Sequence, residues 1–178
     1  DALLLMGAAS IPVDMREINP FCFDEPIAPH IAAKQQHISL DAKELAERIS
    51  LVLNNDTDLC LIEGAGGWAV PLNAHQTWKD FVHCLDVPVI LVVGMTLGCI
   101  NHALLTEQAI LADGCQLYGW IANAVDKNML SYQENIETLQ QRMQSRFLGE
   151  FPYEENSLSQ IEEVRTNSSS MLFNSIVQ

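Results

Sequence analysis

Residues 59–68 read Leu-Cys-Leu-Ile-Glu-Gly-Ala-Gly-Gly-Trp, an apolar run that ends in a carboxylate, Glu63, and then places three glycines in four positions. An acid at the tip of a rigid strand can reach a magnesium ion that bridges nucleotide phosphates, and glycines let backbone N–H groups approach oxyanions without side-chain obstruction. A strand that merely ends in a tight turn would present the same acid. Three glycines so close together demand unusual backbone geometry, which favours the functional reading.

A second stretch, residues 92–102, runs Val-Val-Gly-Met-Thr-Leu-Gly-Cys-Ile-Asn-His from an apolar strand into a helical pattern. Exposed N–H groups and the positive end of the dipole at such a helix start suit a carboxylate or a phosphate. An ordinary capped helix, with Asn101 or a neighbour at the N-cap, is the better account of this stretch when it is taken alone. His102 has no acid near it in sequence and reads as a packing or hydrogen-bonding histidine rather than a general base.

Both stretches lack cations. The nine basic residues, Arg16, Lys34, Lys43, Arg48, Lys79, Lys127, Arg142, Arg146 and Arg165, all lie elsewhere, and no G-x-x-x-x-G-K-[ST] cradle occurs in the chain. Formal charge is −14, from 23 acidic against 9 basic side chains, a field that repels phosphate backbones and argues against nucleic acid or an anionic membrane as partner. The longest apolar run, residues 87–100, is broken by Pro88, Gly94, Thr96 and Gly98 and is too short to span a bilayer. Five widely spaced cysteines with no C-x-x-C pair exclude a zinc ribbon or a dithiol redox site and fit a reducing cytoplasm.

The elements that must position these residues follow from periodicity. Residues 59–62, 87–93 and 117–122 are apolar runs without alternation, the pattern of parallel strands covered on both faces. Between them, Leu45, Ile49, Val52 and Leu53 form a helical stripe behind a capping-box spacing of Asp41 and Glu44, and Trp78, Phe81, Val82 and Leu85 repeat it in a shorter helix. Residues 101–112 and 131–143 supply two more helices, the latter with Ser131 and Glu134 at capping-box spacing. Residues 1–38 hold a helical start and a proline-punctuated loop that Phe21, Phe23 and Ile27 mark as ordered cover. Residues 154–170 read as a mobile polar loop before a last apolar segment, 171–177. The 178 residues are expected to form one α/β domain, a three-layer, doubly wound, mostly parallel sheet whose ligands lie beyond the carboxyl ends of its strands.

The chain closely resembles the dethiobiotin synthetases, ATP-dependent cyclo-ligases with a P-loop NTPase-like fold. The carriers are Asp1-Ala2-Leu3, Asn19-Pro20-Phe21, EPIAPH at residues 25–30, EGAGGWAVPL at 63–72, LGCINHALLT at 97–106, GWIAN at 119–123 and LGEFP at 148–152. The resemblance implies addition of CO2 to 7,8-diaminononanoate, activation of the carbamate by the γ-phosphate of ATP as a carbamic-phosphoric anhydride, and closure of the ureido ring. It implies Mg2+ held by Asp1 and Glu63. Nucleotide would meet Asp1, Glu63, Gly64, Ala65, Gly66, Asn123, Ala124, Pro152, Tyr153 and Glu154. Gly98, Cys99, Ile100 and Asn101 would bind the substrate carboxylate from the neighbouring subunit of a cytoplasmic homodimer, with Cys99 acting through its backbone.

Two departures from that pattern stand out. The family opens with a strand, a P-loop, a helix and a second strand bearing a catalytic lysine, none of which precedes Asp1, so the catalytic lysines are expected upstream and this chain alone is expected to be inactive. Thr96 replaces the lysine often found two residues before Gly98. A P-loop ATPase of the partitioning or amidotransferase-linked kind shares the architecture but is not expected to carry LGCINHALLT, and a non-catalytic fragment that keeps the dimer surface is the other alternative.

Overall fold

Strong helix formers at the start of the chain, Ala2-Leu3-Leu4-Leu5-Met6, fold as helix α1 (Ala2–Ala8). The computed structural model describes residues 2–12, 14–53 and 58–153. The expected loop and tail at 154–177 therefore lie outside the described residues. The chain divides into two compact units, Asp1–Val87 and Pro88–Gln178.

In the first unit, α2 (Met15–Ile18) starts at a capping box in which Asp14 and Glu17 satisfy each other's backbone donors, and α3 (Pro29–Gln35) starts with proline at its first position. Helix α4 (Ala42–Leu53) follows Asp41, whose Oδ1 accepts the N–H groups of Lys43 at 3.0 Å and Glu44 at 3.1 Å. Glu44 does not complete the expected box; its carboxylate takes Arg48 Nη2 at 3.0 Å, one turn on. The Glu44 N–H holds the Asp41 carboxyl below the ordinary aspartate range, against a smaller opposing effect of desolvation. Helix α5 (Trp78–Leu85) has the reciprocal box that α4 lacks, between Thr77 and Asp80.

Both stripes meet in one core of Leu40, Ala42, Leu45, Ala46, Leu72 and Phe81, against which Phe21 and Phe23 pack. The aromatic cover is thus ordered, with the Arg48 guanidinium 5.0 Å above the Phe21 ring. Ile27, expected in that cover, is instead 41% exposed.

The expected strand at 59–62 does not form. No ladder partner pairs with it among the described residues, and Leu61 is 73% exposed. An apolar run becomes a strand only when a neighbour satisfies its backbone, and periodicity cannot report whether one is there.

The second unit is a parallel sheet ordered β1-β2-β3, made of β1 (Val89–Gly94), β2 (Leu117–Asn123) and β3 (Phe147–Phe151). Parallel neighbours need crossovers, supplied by α6 (Cys99–Ala112) and α7 (Tyr132–Arg142). Only the central strand meets the expectation of cover on both faces: residues 119–122 of β2 are all buried, whereas Val92 of edge strand β1 is 55% exposed. Strand β3 was not expected, because Gly149 and Glu150 interrupt its apolar run. The core gathers Val93, Met95, Cys99, Ala103, Trp120, Ala122, Ile136 and Leu139, and deleting a ring as buried as Trp120 costs about 3–5 kcal/mol.

Two local features complete this unit. Ser131 sits in the left-handed region at φ 53°, not in the extended backbone usual for a capping residue, and makes no side-chain cap, so the predicted box with Glu134 is absent. Glu107, buried on α6, accepts Gln144 N–H at 3.1 Å, Ser145 N–H at 2.9 Å and Ser145 Oγ at 2.5 Å. It thereby ties α6 to the loop that leads into β3.

Candidate functional site

The acid turn of the first unit is held by a helix. Beyond the exposed Glu63, the chain reverses through Gly66 at φ 85°, a conformation that strains an L side chain, and a Cβ there would stand 3.0 Å from Val70 Cγ2 and press that methyl aside. Gly67 N–H donates to Ala65 O at 3.1 Å. Trp78, the first residue of α5, closes the arrangement. Its Nε1–H donates to Ala65 O at 2.8 Å, its ring lies 3.7 Å from the position a Cβ would take on Gly64, and its backbone N–H donates to Val70 O at 3.2 Å. The sequence shows Trp78 only as one position of an apolar stripe, and no spacing rule links it to a turn thirteen residues earlier.

The strap between them is tied to α4. Pro71 and Thr77 form an antiparallel bridge, Asn73 Nδ2 donates to Leu40 O at 2.7 Å, and Gln76 Oε1 accepts Ala42 N–H at 3.1 Å. Partial burial pushes the Cys60 thiol up, away from the thiolate form. No group of three or more potential metal-ligating side chains occurs among the described residues. A hard, exposed carboxylate beside open N–H groups still suits Mg2+, which takes one or two protein carboxylates and fills its remaining positions with phosphate oxygens and water.

In the second unit, the ladder brings three strand ends level. Gly94 pairs with Asn123, and Asn123 pairs with Phe151. Beyond that edge, Met95 N–H donates to Asn123 O at 2.8 Å and Ala124 N–H to Phe151 O at 2.9 Å. Asn123, Ala124, Pro152 and Tyr153 thus share the carboxyl edge of the sheet, where Lys127 Nζ stands 6.0 Å from the centroid of the Tyr153 ring. The same edge carries the start of α6. Gly98 is its N-cap at φ 98°; Cys99 N–H donates to Thr96 O at 3.0 Å and His102 N–H to Gly98 O at 3.2 Å. The N–H groups of Ile100 and Asn101 have no acceptor among the described residues, which leaves two donors at the positive end of a 14-residue helix.

The Cys99 N–H is already used within the turn, so the donors left open there are those of Ile100 and Asn101. The Cys99 thiol is buried, with Sγ 3.9 Å from Asn135 Oδ1. Of the residues singled out in the sequence, Gly98, Cys99, Ile100, Asn101, Asn123, Ala124, Pro152 and Tyr153 share this edge, and Glu63, Gly64, Ala65 and Gly66 share the acid turn of the other unit. Asp1 and Glu154 lie outside the described residues.

Parallel strands, crossover helices and ligand-type turns at the carboxyl edge define an α/β nucleotide-handling fold of the P-loop kind. In agreement, the family model described as an AAA domain matches residues 1–160. The chain is 46% identical over 152 residues to the ATP-dependent dethiobiotin synthetase BioD of Pseudomonas aeruginosa strain UCBPP-PA14, covering 85% of this chain and 67% of that protein. It is 49% identical over 154 residues to the protein of that name from Cellvibrio japonicus strain Ueda107, covering 85% and 66%, and 45% identical over 156 residues to that of Nitrosospira multiformis strain ATCC 25196, covering 88% and 69%. The chain belongs to the dethiobiotin synthetase family, and as a synthetase it is a ligase.

Proposed function

We propose that this chain serves biotin biosynthesis by closing the ureido ring of dethiobiotin at the expense of ATP. The observation that carries this reading is the sheet edge of the second unit, where two unsatisfied N–H donors at a helix start share one strand-end boundary with Asn123, Ala124, Pro152 and Tyr153.

In the proposed reaction, one amine of 7,8-diaminononanoate adds to CO2 and loses a proton to form a carbamate. A carbamate oxygen attacks the γ-phosphorus of ATP and displaces ADP, giving a carbamic-phosphoric anhydride. The second amine attacks the anhydride carbon, phosphate leaves, and loss of a proton completes the ring. Negative charge gathers on oxygen as the carbamate forms, as phosphoryl transfers and as phosphate leaves, so the protein's task is to place and neutralise it.

Ile100 and Asn101 supply N–H donors for the diamino acid's carboxylate, and Gly98 shapes that turn. In the proposed homodimer the carboxylate comes from substrate held by the neighbouring subunit. Asn123, Ala124, Pro152 and Tyr153, with Glu154, line the base of the nucleotide, while Gly64, Ala65 and Gly66 offer backbone to its phosphates. Glu63, with Asp1, would hold Mg2+, which when bound supplies charge neutralisation along the phosphates. Among the described residues no helix is long and apolar enough to cross a membrane. The family resemblance is the ground on which we place the enzyme in the cytoplasm.

The test is product analysis with the intact enzyme, P-loop and lysine segment included, supplied with 7,8-diaminononanoate, bicarbonate and MgATP. Dethiobiotin, ADP and phosphate are expected in equal amounts. ATP hydrolysis that is indifferent to the diamino acid would overturn the reading.

A further inference from the structure

Among the described residues no paired strand lies behind the acid turn, which in the proposed function must hold a carboxylate and its neighbouring N–H groups steady against a charged ligand. The contacts that hold it centre on one side chain. Ala65 O, at the centre of the turn, accepts the Trp78 indole N–H at 2.8 Å, and the indole ring covers Gly64. The ring is fixed in turn, standing edge-on to the buried Phe81 ring at 5.3 Å between centroids. The Trp78 backbone N–H also donates to Val70 O, and Val70 is the residue whose methyl sets the space at Gly66. One residue therefore touches the turn at Gly64 and Ala65 and, through Val70, at Gly66.

We infer that Trp78 is a positioning residue for Mg·nucleotide: its indole N–H fixes the peptide between Ala65 and Gly66, and with it the direction of Glu63 and of the open N–H groups. This rests on the assignment of Glu63 to Gly66 to the nucleotide in the proposed function. Trp78 touches no reacting atom. Its effect is to reduce the ordering that the turn must undergo when ligand binds, so loss of the indole bond appears as weaker binding of Mg·nucleotide and not as weaker binding of the diamino acid.

The experiment compares the intact enzyme with Trp78→Phe, which keeps an aromatic ring over Gly64 and removes only the N–H donor, and with Trp78→Ala. Hydrogen exchange at the Gly67 amide, which is bonded to Ala65 O, reads the turn without ligand, and calorimetric titration with Mg2+ and a non-hydrolysable ATP analogue reads the site without turnover. A single lost hydrogen bond predicts exchange and dissociation constants both raised about threefold to tenfold in Trp78→Phe. The KM for 7,8-diaminononanoate should stay within about twofold, and the thermal midpoint should change little. Unchanged exchange in Trp78→Phe overturns the inference, as does faster exchange with unchanged Mg·nucleotide affinity. A purely structural tryptophan would lower the thermal midpoint and raise both substrate constants together, and that also overturns it. If the wild type binds Mg·nucleotide and shows the predicted shifts but forms no dethiobiotin, the synthetase reading fails while the role of Trp78 stands.

Discussion

The two glycine-rich turns are built on opposite plans. The turn at Gly98 continues a paired strand, and main-chain bonds hold it: Met95 to Asn123, Cys99 to Thr96 and His102 to Gly98. The turn at Glu63 has no paired strand behind it among the described residues and leans on a side chain, Trp78. A turn held by backbone tolerates side-chain change but depends on the glycine that lets the backbone bend. One held by a side chain can be loosened by a substitution distant in sequence. The difference teaches where each turn is vulnerable.

The largest effect tests how far the second unit's edge depends on its support. Glu107→Ala leaves Gln144 N–H, Ser145 N–H and Ser145 Oγ without their acceptor in a part-buried site, and should cost about 2–4 kcal/mol, read by denaturant unfolding. Glu107→Gln keeps an acceptor and should recover part of that loss. A Glu107→Ala protein as stable as wild type would show that the loop into β3 does not rely on this staple.

Next in size, Glu63→Gln should reduce turnover about tenfold or more, with partial recovery at high Mg2+, while leaving the KM for the diamino acid within about twofold. Unaltered Mg2+ dependence would remove the metal role from this carboxylate. Asn101→Ala should have a smaller effect, below about threefold on the same KM, because the unsatisfied donor at that position is backbone. A loss of tenfold or more would mean that the side chain binds the carboxylate.

The smallest effect concerns Asp41. Its carboxyl is held below the ordinary aspartate range chiefly by the Glu44 N–H, so its contribution is fully present above the ordinary aspartate pKa and is lost as pH falls through the depressed value. Circular dichroism of an acid titration should show a shallower loss of helix in Asp41→Asn, and identical curves would exclude this cap.

The sequence pattern made most of the second unit legible, because residues 87–93 and 117–122 are apolar runs separated by a helix-length segment, and a parallel pair needs such a crossover. It missed β3, where Gly149 and Glu150 mask the run, and it misplaced a strand at 59–62, since pairing is a property of the neighbour and not of the run itself. In the candidate site, glycine spacing pointed to both turns. What spacing does not encode is which donors remain free: Cys99 N–H is taken by Thr96 O, a bond made within a turn whose path only coordinates reveal. Trp78 was hidden for a related reason, because its indole bond to Ala65 joins two elements and leaves no local signature.

The central claim is that the Glu63 turn serves the nucleotide and the Gly98 turn the diamino acid. The most direct measurement is dethiobiotin formation under steady state by Gly66→Ala and Gly98→Ala, each forcing an L side chain into positive φ at about 1–2 kcal/mol of local strain. Gly66→Ala should raise the KM for MgATP about fivefold or more and spare the KM for 7,8-diaminononanoate, and Gly98→Ala should do the reverse. Both variants shifting the same constant, or neither shifting either, would contradict the claim.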